Sequence, residues 1–114
     1  MIIISDSLSD MAGSVVYLQM NCNSKDYPTE FDTYDEAWDE LYLNYDHFRR
    51  KLGEERYSQL LEMTARAKAL YDEGYAKGFV GFASNGPQGS GFEEIKRASL
   101  LMQDIEQVIR GKRR

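Results

Sequence analysis

Thr33–Gly53, TYDEAWDELYLNYDHFRRKLG, is the stretch that decides how the rest of the chain is read. Trp38, Leu41, Tyr45, Phe48 and Leu52 follow one another at spacings of 3, 4, 3 and 4, which puts them on one stripe of an α-helix. Thr33 supplies an N-cap hydroxyl, and Glu36, three residues on, a carboxylate able to reach back to the cap, the pattern of a capping box. Gly53 ends the stripe as a C-terminal cap does. The spacing predicts a helix over about 34–52.

Toward the C-terminus, Glu54 suits the positive end of a second helix. Tyr57, Leu60, Leu61, Thr64, Ala67 and Tyr71 give that helix a buried side over about 54–73, fading at Gly74 or Gly78. Phe79–Ala83 is apolar and reads as a third strand near 79–83, and Ser84–Gly91 (SNGPQGSG) has the composition of a loop. Ser90 and Glu93 repeat the capping-box spacing ahead of Ile95, Ala98, Met102, Ile105 and Ile109, which define a third helix over about 91–110. Toward the N-terminus, Ile2–Ile4 and Val15–Met20 are β-branched runs that read as two strands of a hairpin, separated by the Ser- and Asp-rich Asp6–Gly13. Asn21–Glu30 is polar, contains Pro28 and reads as a loop. The expected fold class is α+β, a small antiparallel sheet packed by three amphipathic helices. A largely helical bundle with the hairpin as a lid is the alternative.

At 114 residues with 42% apolar side chains, the chain is expected to form one domain, 1–114, with a core that needs neither disulfide nor metal. Cys22 is the sole cysteine, so no intramolecular disulfide can form, which favours a reducing compartment. The N-terminus has no basic region, and its apolar run, Met1–Ile4, is too short for a signal peptide. No stretch approaches bilayer length. A soluble, cytoplasmic protein is expected.

The net charge of −5 is unevenly spread. Residues 1–46 hold ten Asp or Glu against one Lys, a balance of −9, whereas residues 47–114 hold nine acids and thirteen bases, a balance of +4. An acidic front half repels nucleic-acid phosphate and anionic lipid and attracts basic surfaces.

Few residues offer chemistry. His47 is the only histidine and falls on the polar face of the first helix, far in sequence from Cys22, so no His/Cys metal cluster is expected. The acids between Asp26 and Glu40 lack the central glycine of a Ca²⁺ loop. No GxSxG elbow occurs, and the chain is short for enclosing a sugar between paired carboxylates. The basic C-terminus is too brief to form a nucleic-acid stripe. No catalytic residue and no cofactor are expected. A loop rich in glycine ahead of a helix, with Gly86, Gly89, Ser90 and Gly91, has the placement of a phosphate or nucleotide site but lacks the P-loop Lys-Ser/Thr pair.

Around the first helix, Leu43 lies off the apolar stripe, next to Tyr42 and rimmed by Asp39, Glu36, Asp46 and His47. An exposed leucine among acids is the composition of a protein-binding patch with an apolar anchor. Asp35, Glu36, Asp39, Glu40 and Asp46 would steer a basic partner toward Tyr42 and Leu43. The expectation is a non-enzymatic inhibitor of a basic protein, such as a nuclease or another nucleic-acid enzyme, acting in the manner of an immunity protein, an antitoxin or a phage-encoded inhibitor. The alternatives are a small enzyme or ligand-binding domain using residues 84–91, and a homo-oligomeric adaptor.

Overall fold

The protein is described by a computed structural model over residues 2–111. Its first element is a helix, α1 (Leu8–Ser24). The Ser7 hydroxyl accepts the Asp10 N–H at 3.1 Å, and Asp10 adds negative charge to the first turn. Lys25, in the left-handed region at φ +54°, closes the helix by donating its N–H to the carbonyls of Asn21 and Cys22. The hairpin expected from Ile2–Ile4 and Val15–Met20 therefore does not form. Met11, Val15, Leu18 and Cys22 recur at helical spacings of 4, 3 and 4, and all four are buried. Burial of that stripe outweighs the local β preference of the two valines.

The loop after α1 leads to Thr33, whose capping box forms as its spacing implies: the hydroxyl accepts the Glu36 N–H, and the Glu36 carboxylate accepts the Thr33 N–H, each at 3.2 Å. The helix expected over 34–52 is two helices, α2 (Tyr34–His47) and α3 (Arg49–Leu52), with the break at Phe48. Phe48 and Leu52 both still reach the core. The turn also lets Arg49 grip Glu54 with two hydrogen bonds of 2.8 Å.

α4 (Glu54–Ala76) runs past the expected end at 73, because Gly74 stays helical and serves packing. A Cβ there would lie 2.6 Å from Ile95 Cδ1 and 3.0 Å from the Gly91 carbonyl oxygen. The strand expected at 79–83 is shorter, β1 (Gly81–Ala83), and pairs antiparallel with β2 (Gly86–Gln88), which lies within the expected loop. α5 (Phe92–Arg110) begins after Gly91 at φ +95°, and no side chain caps it, so Ser90 and Glu93 do not form a capping box. The chain is mostly helical with one small two-stranded sheet among the described residues, broadly α+β.

α5 is the central helix, packed on α4 along one side and α1 along another, while α2 lies against both α1 and α4. The buried side chains form one contiguous cluster. Its tyrosines keep their polar tips satisfied: Tyr45 shares a 2.8 Å hydrogen bond with Thr64, and Tyr71 donates to Asn23 Oδ1 at 2.6 Å. Among the described residues no helix is long and apolar enough to cross a membrane.

Candidate functional site

The seven residues expected to meet a partner all sit on α2. At about 100° per residue, Asp35, Glu36, Asp39, Glu40, Tyr42, Leu43 and Asp46 fall within about 160° of arc, one face of the helix. Leu43 is 46% exposed there, among carboxylates that are mostly exposed too. Tyr42 is half-buried, its ring edge-on to Tyr45 at 6.2 Å, so it is partly committed to the core.

Most of these carboxylates also hold something within the chain. Asp35 lies 3.7 Å from Lys68, which also binds Asp72 at 3.2 Å. Glu36 caps its own helix, and those Thr33 hydrogen bonds hold its carboxyl below the usual range. Asp46 accepts the Tyr57 hydroxyl. Exposed ion pairs such as Asp35–Lys68 are worth at most about 1 kcal/mol, so Asp35 can turn outward at little cost.

Glu40 organises the N-terminal segment. Its carboxylate accepts the Ile3 N–H at 3.1 Å, while the buried Asn44 accepts the Ser5 N–H at 2.7 Å and donates to the Ile3 carbonyl at 3.0 Å. Asn44 also donates to the Glu40 carbonyl at 2.8 Å. Ile2–Ile4, lacking a neighbouring strand, is thus strapped along α2 by two side chains standing where a strand backbone would be. Burial pushes the Glu40 carboxyl above the usual range, and the nearby Asp32 charge adds to the effect.

Beside the strap, α1 and α2 diverge to leave a cleft of 510 Å³. One wall is the α1 stripe of Ser9, Asp10, Gly13, Ser14 and Tyr17, whose small residues leave the gap unfilled. The opposite wall comes from α2, through Ala37, Glu40, Leu41 and Asn44. Tyr17, Phe31 and Ile3 stand 53%, 62% and 58% exposed at its lining. Three carboxylates line it (Asp10, Asp32 and Glu40), and among the described residues no lysine or arginine does.

No protein-family model, curated protein or solved structure matches the chain.

The glycine-rich segment is engaged in backbone packing. A Cβ on Gly89 would run into the Gly78 carbonyl, and one on Gly91 into the Gly74 carbonyl, in both cases closer than real Cβ contacts come. Gly86, at φ +115°, follows the tight turn between β1 and β2, and Ser90 is exposed beside them. Glu93 and Glu94 occupy the first turn of α5, with Glu94 held by Lys77 at 3.2 Å, so negative charge already stands where a phosphate would approach.

His47 is exposed in the last turn of α2, its ring edge-on to Phe48 at 4.9 Å. Burial pushes the Cys22 thiol up to about 12, which suppresses the thiolate. Among the described residues no group of three or more His, Cys, Asp or Glu side chains converges to hold a metal ion.

Of the cleft residues, sequence reasoning singled out Glu40 alone. Asp10, Gly13 and Tyr17 were legible only once 8–24 is read as a helix, since their spacings of 3 and 4 mark a face only at 3.6 residues per turn.

Proposed function

We propose that the protein is a non-enzymatic binding protein, and in the cell an inhibitor, that receives a basic protein partner on the acidic face of α2. The observation that carries this reading is Leu43, 46% exposed on a face that also bears Asp35, Glu36, Asp39 and Asp46. An apolar anchor inside a ring of charge is how interfaces combine affinity with steering. The face continues through Glu40 to a cleft that Asp10 and Asp32 also line, which adds further carboxylates beside it. A nuclease or another nucleic-acid enzyme is the partner class whose surface is most basic, and its neutralisation in the manner of an immunity protein or antitoxin is the biological form of the proposal. Such a role is compatible with a cytoplasmic location.

The test is affinity capture from the host lysate with wild type and a Leu43→Arg, Asp39→Lys double variant, followed by calorimetry on the purified partner. A basic protein recovered by wild type alone, with affinity that falls steeply between low and moderate salt, is the expected result. Equal recovery by both proteins, or a partner whose binding ignores salt, would overturn it.

A further inference from the structure

The strap Ile2–Ile4 presents more than its contacts with α2 account for. Its three consecutive isoleucines stand 42%, 58% and 39% exposed. They are β-branched side chains, which pack best on the pleated surface of a sheet, yet no strand lies beside them among the described residues. The backbone hydrogen bonds fix which edge faces α2. In an extended chain the N–H and C=O of one residue point to one edge, and those of the next residue to the other. The Ile3 N–H, the Ile3 C=O and the Ser5 N–H all go to Glu40 and Asn44, so the odd-numbered residues face α2. Asn44, 2% exposed, holds this register by accepting from Ser5 and donating to Ile3 at once. Ile2 and Ile4 turn their backbone groups to the opposite edge, and neither makes a hydrogen bond among the described residues. Such an edge is a template for another strand, and proteins that keep one empty blunt it with lysine, proline or a bulge. Ile2–Ile4 carries neither lysine nor proline.

We infer that the outer edge of the strap accepts an extended, basic segment of the partner as an added β-strand, with Ile2 and Ile4 supplying the backbone hydrogen bonds. This rests on the reading of the chain as a binder of basic proteins and names the form in which the partner arrives. Main-chain pairing gives a contact of this kind its affinity, and alternate side chains give it selectivity. The basic character follows from the flanks of the strap. Asp6 and Asp10 are exposed just after it, and neither is in an ion pair among the described residues. On α2 the strap runs beside Glu40, about 60° around the helix from Leu43, so one partner surface can reach both. A second copy of the chain fits worse, because it would bring together two acidic halves, each with a balance of −9 over residues 1–46.

The probe is the capped peptide acetyl-Arg-Val-Arg-Val-Arg-amide, titrated into the intact protein and followed by amide chemical shifts. Its control carries N-methyl groups on the three central residues, which removes backbone donors from both edges and leaves the charge unchanged. Saturable shifts at Ile2–Ser5 are expected, with at least tenfold weaker binding of the methylated peptide. Ile4→Pro removes the outward N–H and leaves the three hydrogen bonds to Glu40 and Asn44 in place, since proline favours an extended residue before it. It should weaken the arginine peptide at least fivefold while the Ser5 amide keeps its protection from hydrogen exchange. Ile4→Thr, which keeps the N–H and a β-branched side chain, should bind as wild type does. Equal binding of the two peptides, shifts that miss Ile2–Ser5, or undiminished binding by Ile4→Pro would each overturn the added strand. A concentration-dependent mass that Ile4→Pro abolishes would assign the edge to a second copy and overturn it too. Should Ile4→Pro loosen the strap, the pair of peptides still decides. The two readings fail separately. A captured partner that discriminates against the Leu43→Arg, Asp39→Lys variant but binds Ile4→Pro normally removes the added strand alone. Arginine-peptide pairing with the strap without a discriminating partner removes the α2 face alone.

Discussion

Gly13 and Gly74 sit in the interiors of α1 and α4, and identical substitutions there should act in opposite directions. Gly13 faces open space, so Gly13→Ala gains the helix propensity that glycine forfeits, about 0.5–1 kcal/mol of added stability. Gly74→Ala gains the same propensity but drives a methyl to within 2.6 Å of Ile95, and overpacking of that kind costs about 1–3 kcal/mol. Paired urea denaturation curves check the sign of each. Glu40 allows a second prediction at this scale. Its carboxyl is raised in the folded state, so folding favours the protonated form, and stability is lost as pH climbs from the unfolded value through the folded one. Glu40→Gln should therefore stabilise the protein at neutral pH, and that gain should vanish once the pH falls below the ordinary carboxylate range. Glu36 has the opposite sign: its lowered carboxyl contributes stability above the unfolded value that disappears on acidification. Unfolding midpoints of wild type, Glu40→Gln and Glu36→Gln between pH 3 and pH 7 would separate the two, with ordinary values near about 4.3 as the reference.

Among the elements, α2 was legible because two independent signals agree at its start, a capping box and a 3-4 stripe. Thr33→Ala should cost about 1 kcal/mol by thermal or urea unfolding, with the helix fraying from Tyr34. α1 was misread because Val15, Val16 and Tyr17 favour strands locally, while the stripe that identifies the helix needs Met11 and Cys22, outside that run. The start of α5 was also misread: Ser90 lies one residue too early, and the positive φ of Gly91 takes the cap position. That choice belongs to the contact of Gly91 with Gly74, a tertiary fact that no local spacing encodes. The strap is an element of another kind, since its hydrogen bonds come from the side chains of α2. Asn44→Ala should cost about 1–3 kcal/mol, because it leaves partly buried backbone groups unpaired. Hydrogen exchange would show the Ser5 amide losing protection while the amides within α4 and α5 keep theirs.

For the molecule as a whole, the acidic balance of residues 1–46 becomes a spatial asymmetry once α1 and α2 are placed side by side around the cleft. The α2 face could be read from one helix, because every residue in it is set by a single periodicity. The cleft could not, because its carboxylates, Asp10, Asp32 and Glu40, come from different segments and are brought to one cleft only through the packing of α1 against α2. The aromatic side chains show the same long-range assembly. Tyr27, Tyr34 and Tyr75 make edge contacts at 6.2 and 5.6 Å, Tyr75 stacks on Tyr71 and Phe79 at 6.1 and 6.3 Å, and Trp38 meets both Tyr34 and Tyr71 at 6.1 Å. The lone tryptophan of the chain is 1% exposed at the junction of these rings. Light absorbed by the surrounding tyrosines should therefore emerge as blue-shifted tryptophan emission. As the chain unfolds, the rings separate, tyrosine emission should appear, and the tryptophan band should move to the red. One emission spectrum, excited where tyrosine absorbs, thus reports whether the loop before α2, α2 itself and α4 are still assembled.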